Sequence, residues 1–218
     1  MNEVFNEDCN EGMKQYPNNY FDLAVVDPPY GIGMDNRKGK PLKSNNRKKD
    51  TRFKGGNWDD STPNKDYFNE LFRVSENQII WGGNYFTDKL PVSRGWAFWD
   101  KKPIVGNYSD GELAWTSFDK VLKRIVIMWN GKIRNGIEKG YIAMHPTQKP
   151  IKLYEWIYKN YLPDGGKVID THLGSGSNWI AAEKTGNIDF TGYEIDKDYF
   201  DASVKRYNQF KSQLCLSL

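Results

Sequence analysis

The chain has 218 residues, 38% of them hydrophobic and 27% charged, with a net charge of +3 and a mean hydropathy of −0.77. That length suits one domain with a single core rather than two full-sized ones, and 8 Trp, 13 Tyr and 11 Phe exclude a disordered chain and predict an aromatic core. No run approaches the roughly 20 apolar residues of a membrane helix, the start lacks a basic-then-apolar signal pattern, and Cys9 and Cys215 have no metal-ligand or disulfide spacing, so a soluble, cytoplasmic protein with no membrane partner and no metal is expected.

Residues 21–26 (FDLAVV) read as a short buried strand running into Asp27-Pro28-Pro29-Tyr30, where two prolines end sheet pairing. A strongly basic segment follows. Between residues 35 and 54 stand nine basic residues, among them Arg37, Lys38, Arg47, Lys48, Lys49 and Arg52, against two acidic ones, a local excess of seven that leaves the rest of the chain at −4. With no apolar period, residues 35–57 form a loop insertion that is either simply solvated or a polyanion-binding arm whose cations replace the counterions of phosphates. Ser61-Thr62-Pro63 with Tyr67, Phe68, Leu71, Phe72 and Val74 predicts an amphipathic helix with proline just inside its start. Strands are expected at 78–81, 96–99, 113–118 and 124–129, the later ones antiparallel, and a helix at 151–161 before Pro163 and Gly165-Gly166. The last quarter is a βαβα unit: a strand at 167–170, the turn 172–177, a helix at 178–185, a strand at 190–195 and a helix carrying Tyr199, Ala202, Val204 and Tyr207. Such alternation predicts an α/β sheet.

A strand, a glycine turn, a helix and then an acid ending the next strand is how a doubly wound sheet grips a nucleotide-like cofactor, because glycine lets the backbone approach and the carboxylate accepts from ribose hydroxyls. Glu194 follows Gly176 by 18 residues, near the expected spacing. Gly174 and Gly176 also suit any tight strand-to-helix turn. With neither a third glycine nor a GK[ST] loop, a cofactor without a pyrophosphate is favoured, and S-adenosylmethionine fits: Asp170 would meet its ammonium or organise the loop, and Glu194 would hold its ribose. Asp27-Pro28-Pro29-Tyr30 would place carbonyl and carboxylate acceptors beside an aromatic face, since proline has no N–H to offer the local carbonyls; that pairing suits an exocyclic amine on a planar base. A rigid turn is the plainer alternative for that motif. His145-Pro146-Thr147-Gln148-Lys149-Pro150 by itself reads as a helix entrance capped by Thr147.

Taken together, the strand with DPPY at 27–30, HPTQKP at 145–150 and VIDTHLGSGS followed by FTGYEIDKDYF at 168–200 resemble the amino-methylating DNA methyltransferases, in the β-class order with the catalytic half before the cofactor half. The resemblance implies a circularly permuted Rossmann-like α/β fold with a mixed sheet in one methyltransferase domain. It also implies S-adenosyl-L-methionine as cofactor and double-stranded DNA as partner, as in restriction-modification systems. A second copy of the chain in a homodimer is an assembly the sequence permits. By the same resemblance Asp27, Pro28, Pro29 and Tyr30 are catalytic, with Asp27 in place of a serine favouring N6 of adenine over N4 of cytosine. Thr147, Lys149, Asp170, Leu173, Gly174, Gly176 and Glu194 line the cofactor, Thr147 and Lys149 near its methionine carboxylate. The sequence departs from the family pattern after Asp170, where Thr171-His172 stands in place of Pro-Phe. Only residues 130–144 occupy the place of a target-recognition region, so DNA contacts fall to Lys132, Arg134 and the basic loop. Trp81-Gly82-Gly83-Asn84-Tyr85-Phe86 reads equally as a substrate-side loop or a plain turn with core aromatics. N4-cytosine or RNA methylation, a catalytically silent nucleic-acid-binding subunit and methylation of a protein amide are the competing functions.

Overall fold

The computed structural model describes residues 2–33, 58–102, 109–130, 133–134 and 143–215. Its first elements, β1 (Glu3–Phe5) and α1 (Cys9–Met13), carry too few apolar positions to show a period, and the sequence reading did not find them. The next strand, β2 (Phe21–Val26), leads to helix α2 (Lys65–Val74) and strand β3 (Ser75–Trp81). Asn64, not the Ser-Thr-Pro stretch, caps α2: its side-chain oxygen accepts from the Tyr67 N–H at 3.0 Å, which leaves Pro63 outside the helix rather than inside its start. Strands β4 (Trp96–Asp100), β5 (Gly111–Thr116) and β6 (Lys123–Val126) follow. The strand expected at 124–129 is thus split, and Trp129–Asn130 (β7) instead pairs antiparallel with Ile133–Arg134 (β8). Helix α3 (Ile151–Tyr161), strand β9 (Gly166–Asp170), helix α4 (Ser177–Thr185), strand β10 (Ile188–Tyr193) and helix α5 (Lys197–Cys215) complete the chain.

Eight strands form one mixed sheet in the order β1-β10-β9-β2-β3-β5-β4-β6. From β1 through β3 all pairs are parallel; β5 runs antiparallel to both β3 and β4, as expected, but β6, also expected antiparallel, pairs parallel with β4. Because parallel strands are covered on both faces they read as continuous apolar runs, as FDLAVV does. Period-two alternation sorts that run: Leu23 and Val25, with Ile79 and Trp81, pack against α3 and α4, while Ala24 and Val26, with Ile80, pack against α2 and Met13 of α1. The core is aromatic, with Trp81, Trp99, Tyr158, Tyr193, Phe21, Phe68, Phe86 and Phe190 all fully buried.

The order explains the position of the site. Strand β9, late in the chain, lies in mid-sheet beside early β2, with Ala24 opposite Ile169. The chain continues from β9 to β10 on one side and from β2 to β3 on the other, so the β2/β9 boundary is the topological switch point, where α/β sheets form a crevice at the carboxyl ends of their strands.

Candidate active site

Asp27 and Asp170 leave the carboxyl ends of β2 and β9 at this boundary. One buried side chain ties the two ends together. Asn178 of α4 donates to the Val25 carbonyl at 3.1 Å and to Asp170 Oδ2 at 2.9 Å, while its own oxygen accepts from the Tyr158 hydroxyl at 2.5 Å. A buried amide with every strong bond satisfied fixes the relative placement of the two motifs.

On the β9 side the turn is built from backbone. Gly174 (φ 51°) and Gly176 (φ 70°) occupy the left-handed region, which side chains avoid, and a Cβ on Gly174 would meet nothing nearer than the His145 ring at 3.7 Å, so the turn has room above it. Leu173 N–H donates to the Tyr193 carbonyl at 2.8 Å. The carboxylate of Glu194 accepts from Gly174 N–H at 2.8 Å and Asp196 N–H at 2.9 Å, so this acid, one residue past β10, braces the glycine turn. Arg206 of α5 holds the far side through the Ser175 carbonyl and the Ser177 hydroxyl, both at 2.8 Å. Asp170 accepts from His172 N–H and Asn178 and makes no ion pair among the described residues; neither does Glu194. Burial pushes the Asp170 carboxyl up to about 7 and raises that of Glu194.

The departure from Pro-Phe has a structural consequence. Thr171 Oγ1 lies 2.6 Å from the buried Tyr67 hydroxyl and 2.9 Å from His172 Nδ1, and the His172 ring meets Tyr67 edge-on. Burial lowers the His172 imidazole to about 4, so it is neutral at physiological pH.

The β2 side is built from charges. Tyr30 donates its hydroxyl to Asp27 Oδ1 at 2.6 Å, and Asp27 Oδ2 is ion-paired with Lys149. Lys149, 3% exposed, also reaches Glu112 Oε2 at 3.1 Å and the Tyr30 oxygen at 3.2 Å, and lies over the Trp81 ring. Glu112 in turn pairs with Lys101. Burial would raise both acids. For Glu112 the two ammonium groups outweigh it and pull the carboxyl down to about 2, whereas for Asp27 burial, reinforced by the Glu112 charge, leaves it above its ordinary value despite Lys149. Tyr30 stacks on Tyr85 with centroids 4.9 Å apart and planes 15° apart, and Gly82 is needed beneath it, since a Cβ there would fall 2.2 Å from the Tyr30 ring. The Trp81–Phe86 segment is therefore the wall of the Tyr30 pocket as well as a turn.

Lys149, expected like Thr147 near the cofactor's methionine carboxylate, lies on Asp27 and Glu112, while Thr147 contacts His145 Nδ1 at 3.0 Å and Pro150 rather than Thr147 occupies the cap position of α3. The His145 ring packs edge-on against Tyr199 and lies against Trp58. Burial and the Lys149 charge lower its imidazole to about 3, which suits a structural residue and not a base. Sequence reasoning missed Glu112 and Lys101; each is one charged residue near the end of a strand, and nothing local marks them. Arg37, Lys38, Arg47, Lys48, Lys49, Arg52 and Lys132 lie outside the described residues, and Arg134 is placed only as backbone in β8.

A family model described as DNA methylase, of the N6/N4 type, matches residues 93–205, more than half of the chain. The chain belongs to the N6/N4 DNA methylase family. Among curated members and relatives, the type II methyltransferase M2.DpnII of Streptococcus pneumoniae is 32% identical over 84 residues, 38% of this chain but 31% of that protein. YubD of Escherichia coli strain K12 is 23% identical over 224 residues, 94% of this chain and 90% of its own. The chain thus spans about a third of one relative and nearly all of the other. Among solved structures, the M1.HpyAVI–SAM complex matches with a TM-score of 0.61 at 18% identity, covering 95% of this chain and all of that one. The N6/N4 methylase fold, Rossmann-like and permuted with a mixed sheet, is therefore the fold of this chain.

Proposed function

We propose that the protein transfers a methyl group from S-adenosylmethionine to the exocyclic N6 amine of adenine in DNA, by base flipping and direct in-line displacement within one methyltransferase domain. The observation that carries this reading is the pairing of two acid sites of opposite character across the β2/β9 boundary. Asp170, buried at the end of β9, and Glu194, partly buried one residue past β10, are carboxylates without an ion-pair partner among the described residues, beside an open glycine turn. That set of acceptors fits a cationic ligand bearing sugar hydroxyls: Asp170 toward its charge, Glu194 toward its ribose, and Leu173, Gly174, Gly176 and Thr147 around the turn. When bound, the cofactor supplies a methyl group made electrophilic by its sulfonium.

On the other side Asp27 and the Pro28 carbonyl are acceptors. An aromatic amine is a poor nucleophile because its lone pair is delocalised into the ring, and hydrogen bonds from both N–H groups to these acceptors favour a pyramidal nitrogen with its lone pair turned toward the methyl carbon. Alignment and exclusion of water then supply the catalysis, and no covalent intermediate is needed. A base in a stacked duplex is out of reach, so it must be extruded, and stacking on Tyr30 offsets about 1–3 kcal/mol of that cost. Arg37, Lys38, Arg47, Lys48, Lys49, Arg52, Lys132 and Arg134 are the phosphate contacts of this proposal; phosphate contacts position a protein without specifying sequence.

Transfer of labelled methyl to adenine-rich and cytosine-rich duplexes, followed by nucleoside analysis, tests the reading. N6-methyladenine is expected. Label found in N4-methylcytosine alone would overturn the choice of base, and label in RNA or protein alone the choice of substrate.

A further inference from the structure

Outside the motifs that carry the family resemblance stands a carboxylate with no assigned role. Asp27, Lys149, Glu112 and Lys101 form a chain of alternating charge, acid-base-acid-base, contributed by β2, the entrance to α3, β5 and the end of β4. The three protons of the Lys149 ammonium meet three acceptors: Asp27 Oδ2, Glu112 Oε2 and the Tyr30 oxygen. Asp27 is thereby engaged at both oxygens, by Lys149 and by Tyr30. A carboxylate oxygen has two lone-pair sites, so one on each remains, but a lone buried ammonium facing Asp27 would draw the carboxylate wholly to itself. A second carboxylate on that ammonium divides its attraction.

We propose that Glu112 is a positioning residue that, by sharing the Lys149 ammonium with Asp27, keeps an Asp27 lone pair available to the substrate amine and holds Lys149 in place when that amine docks. Lys101 anchors Glu112 from the more exposed end, over the Trp99 ring. This rests on the methyl-transfer reading above for the identity of the amine, and on geometry alone for the charge chain. The groups facing Asp27 are Tyr30, Lys149 and Glu112, with Tyr154 of α3, Tyr67 of α2 and Asp170 of β9 further out; His145 faces Lys149.

The two ends of the chain make opposite predictions. In E112Q, Asp27 loses a like-charged neighbour and keeps the whole of Lys149, so its titration midpoint falls. In K101M, Glu112 is less compensated and pushes harder on Asp27, so the midpoint rises. Carboxyl ¹³C NMR of the full chain reads both without needing turnover, and shifts of about one pH unit down and a fraction of a unit up are expected. Single-turnover methylation by E112Q should fall about tenfold, with DNA KM and calorimetric affinity for S-adenosylmethionine within about twofold, and E112D should restore the wild-type midpoint. If E112Q does not fold, K101M and E112D still decide the matter. A folded E112Q with an unmoved midpoint, or shifts of the same sign in both variants, alongside an active wild type, would overturn the positioning role alone. Opposite shifts in the two variants, alongside a wild type that never methylates DNA, would sink the methylation reading and with it the substrate half of this inference.

Discussion

Two carboxylates, Asp27 and Asp170, stand at the ends of adjacent strands, and their surroundings could hardly differ more. Asp27 belongs to a charge-balanced cluster with two ammonium groups and a tyrosine hydroxyl, whereas Asp170 is held by an amide and a backbone N–H and makes no ion pair among the described residues. A buried acid with its counter-ion in place serves as an acceptor, while one without a counter-ion is poised for a ligand that brings positive charge. The fold thus separates the two tasks of the proposed reaction by electrostatics within one crevice.

The contrast is broken most sharply at Asp27. Asp27→Asn exchanges one acceptor oxygen for a donor and should lower methyl transfer about 10³-fold while leaving calorimetric cofactor affinity near wild type; loss of cofactor binding instead would mean that the two sites are not separable. Next comes Tyr30→Ala, expected to reduce turnover by about one to two orders of magnitude through lost base stacking. Tyr30→Phe, which keeps the ring, should cost less, and equal losses in the two variants would assign the effect to the hydroxyl.

At Asp170 the expected effects are smaller and depend on pH. Its carboxyl is raised from 3.8 to about 7 by burial. The folded protein therefore holds this proton more tightly than the unfolded chain, so its contribution to stability is complete below 3.8, declines as pH rises through the window to 7, and is constant beyond. Asp170→Asn should remove that decline, giving a ligand-free Tm above wild type at pH 8, with about tenfold weaker binding of S-adenosylmethionine. In the wild type, affinity should climb between pH 6 and 8 as Asp170 ionises; a flat profile would remove Asp170 from the cofactor site. The least effect on chemistry is expected at Asn178, which joins the two strand ends: Asn178→Ala should lower stability by about 2 kcal/mol in denaturant unfolding and, through the hydrogen bond that Asp170 loses, weaken cofactor binding by less than Asp170→Asn does.

Much of this architecture was legible in the sequence because it is written in local patterns. The apolar run of β2, the glycine turn after β9 and the periods of α2, α3 and α4 fell where expected, to within a few residues. The failures have physical causes. Pro63 resembles a first-turn helix residue, but Asn64 offers the better side-chain acceptor and moves the helix start past it. Residues 124–129 carry one apolar pattern, yet the edge strand closes at Val126 and the chain turns into a separate hairpin. Short β1 and α1 gain their order from pairing with β10 and packing under α2, contacts that leave no period in five residues or fewer.

What the sequence determined by itself were the two motif strands, their turns and the order in which they come, since strand, turn and helix preferences act over a few neighbouring residues. Only the tertiary structure decided who partners the charges at their ends. Lys149, 122 positions after Asp27, lies on its carboxylate, and Glu112 and Lys101, unremarkable where they stand in the chain, close the cluster from β5 and the end of β4. Coulomb attraction depends on distance in space and on burial, and both are set by the strand order of the folded sheet.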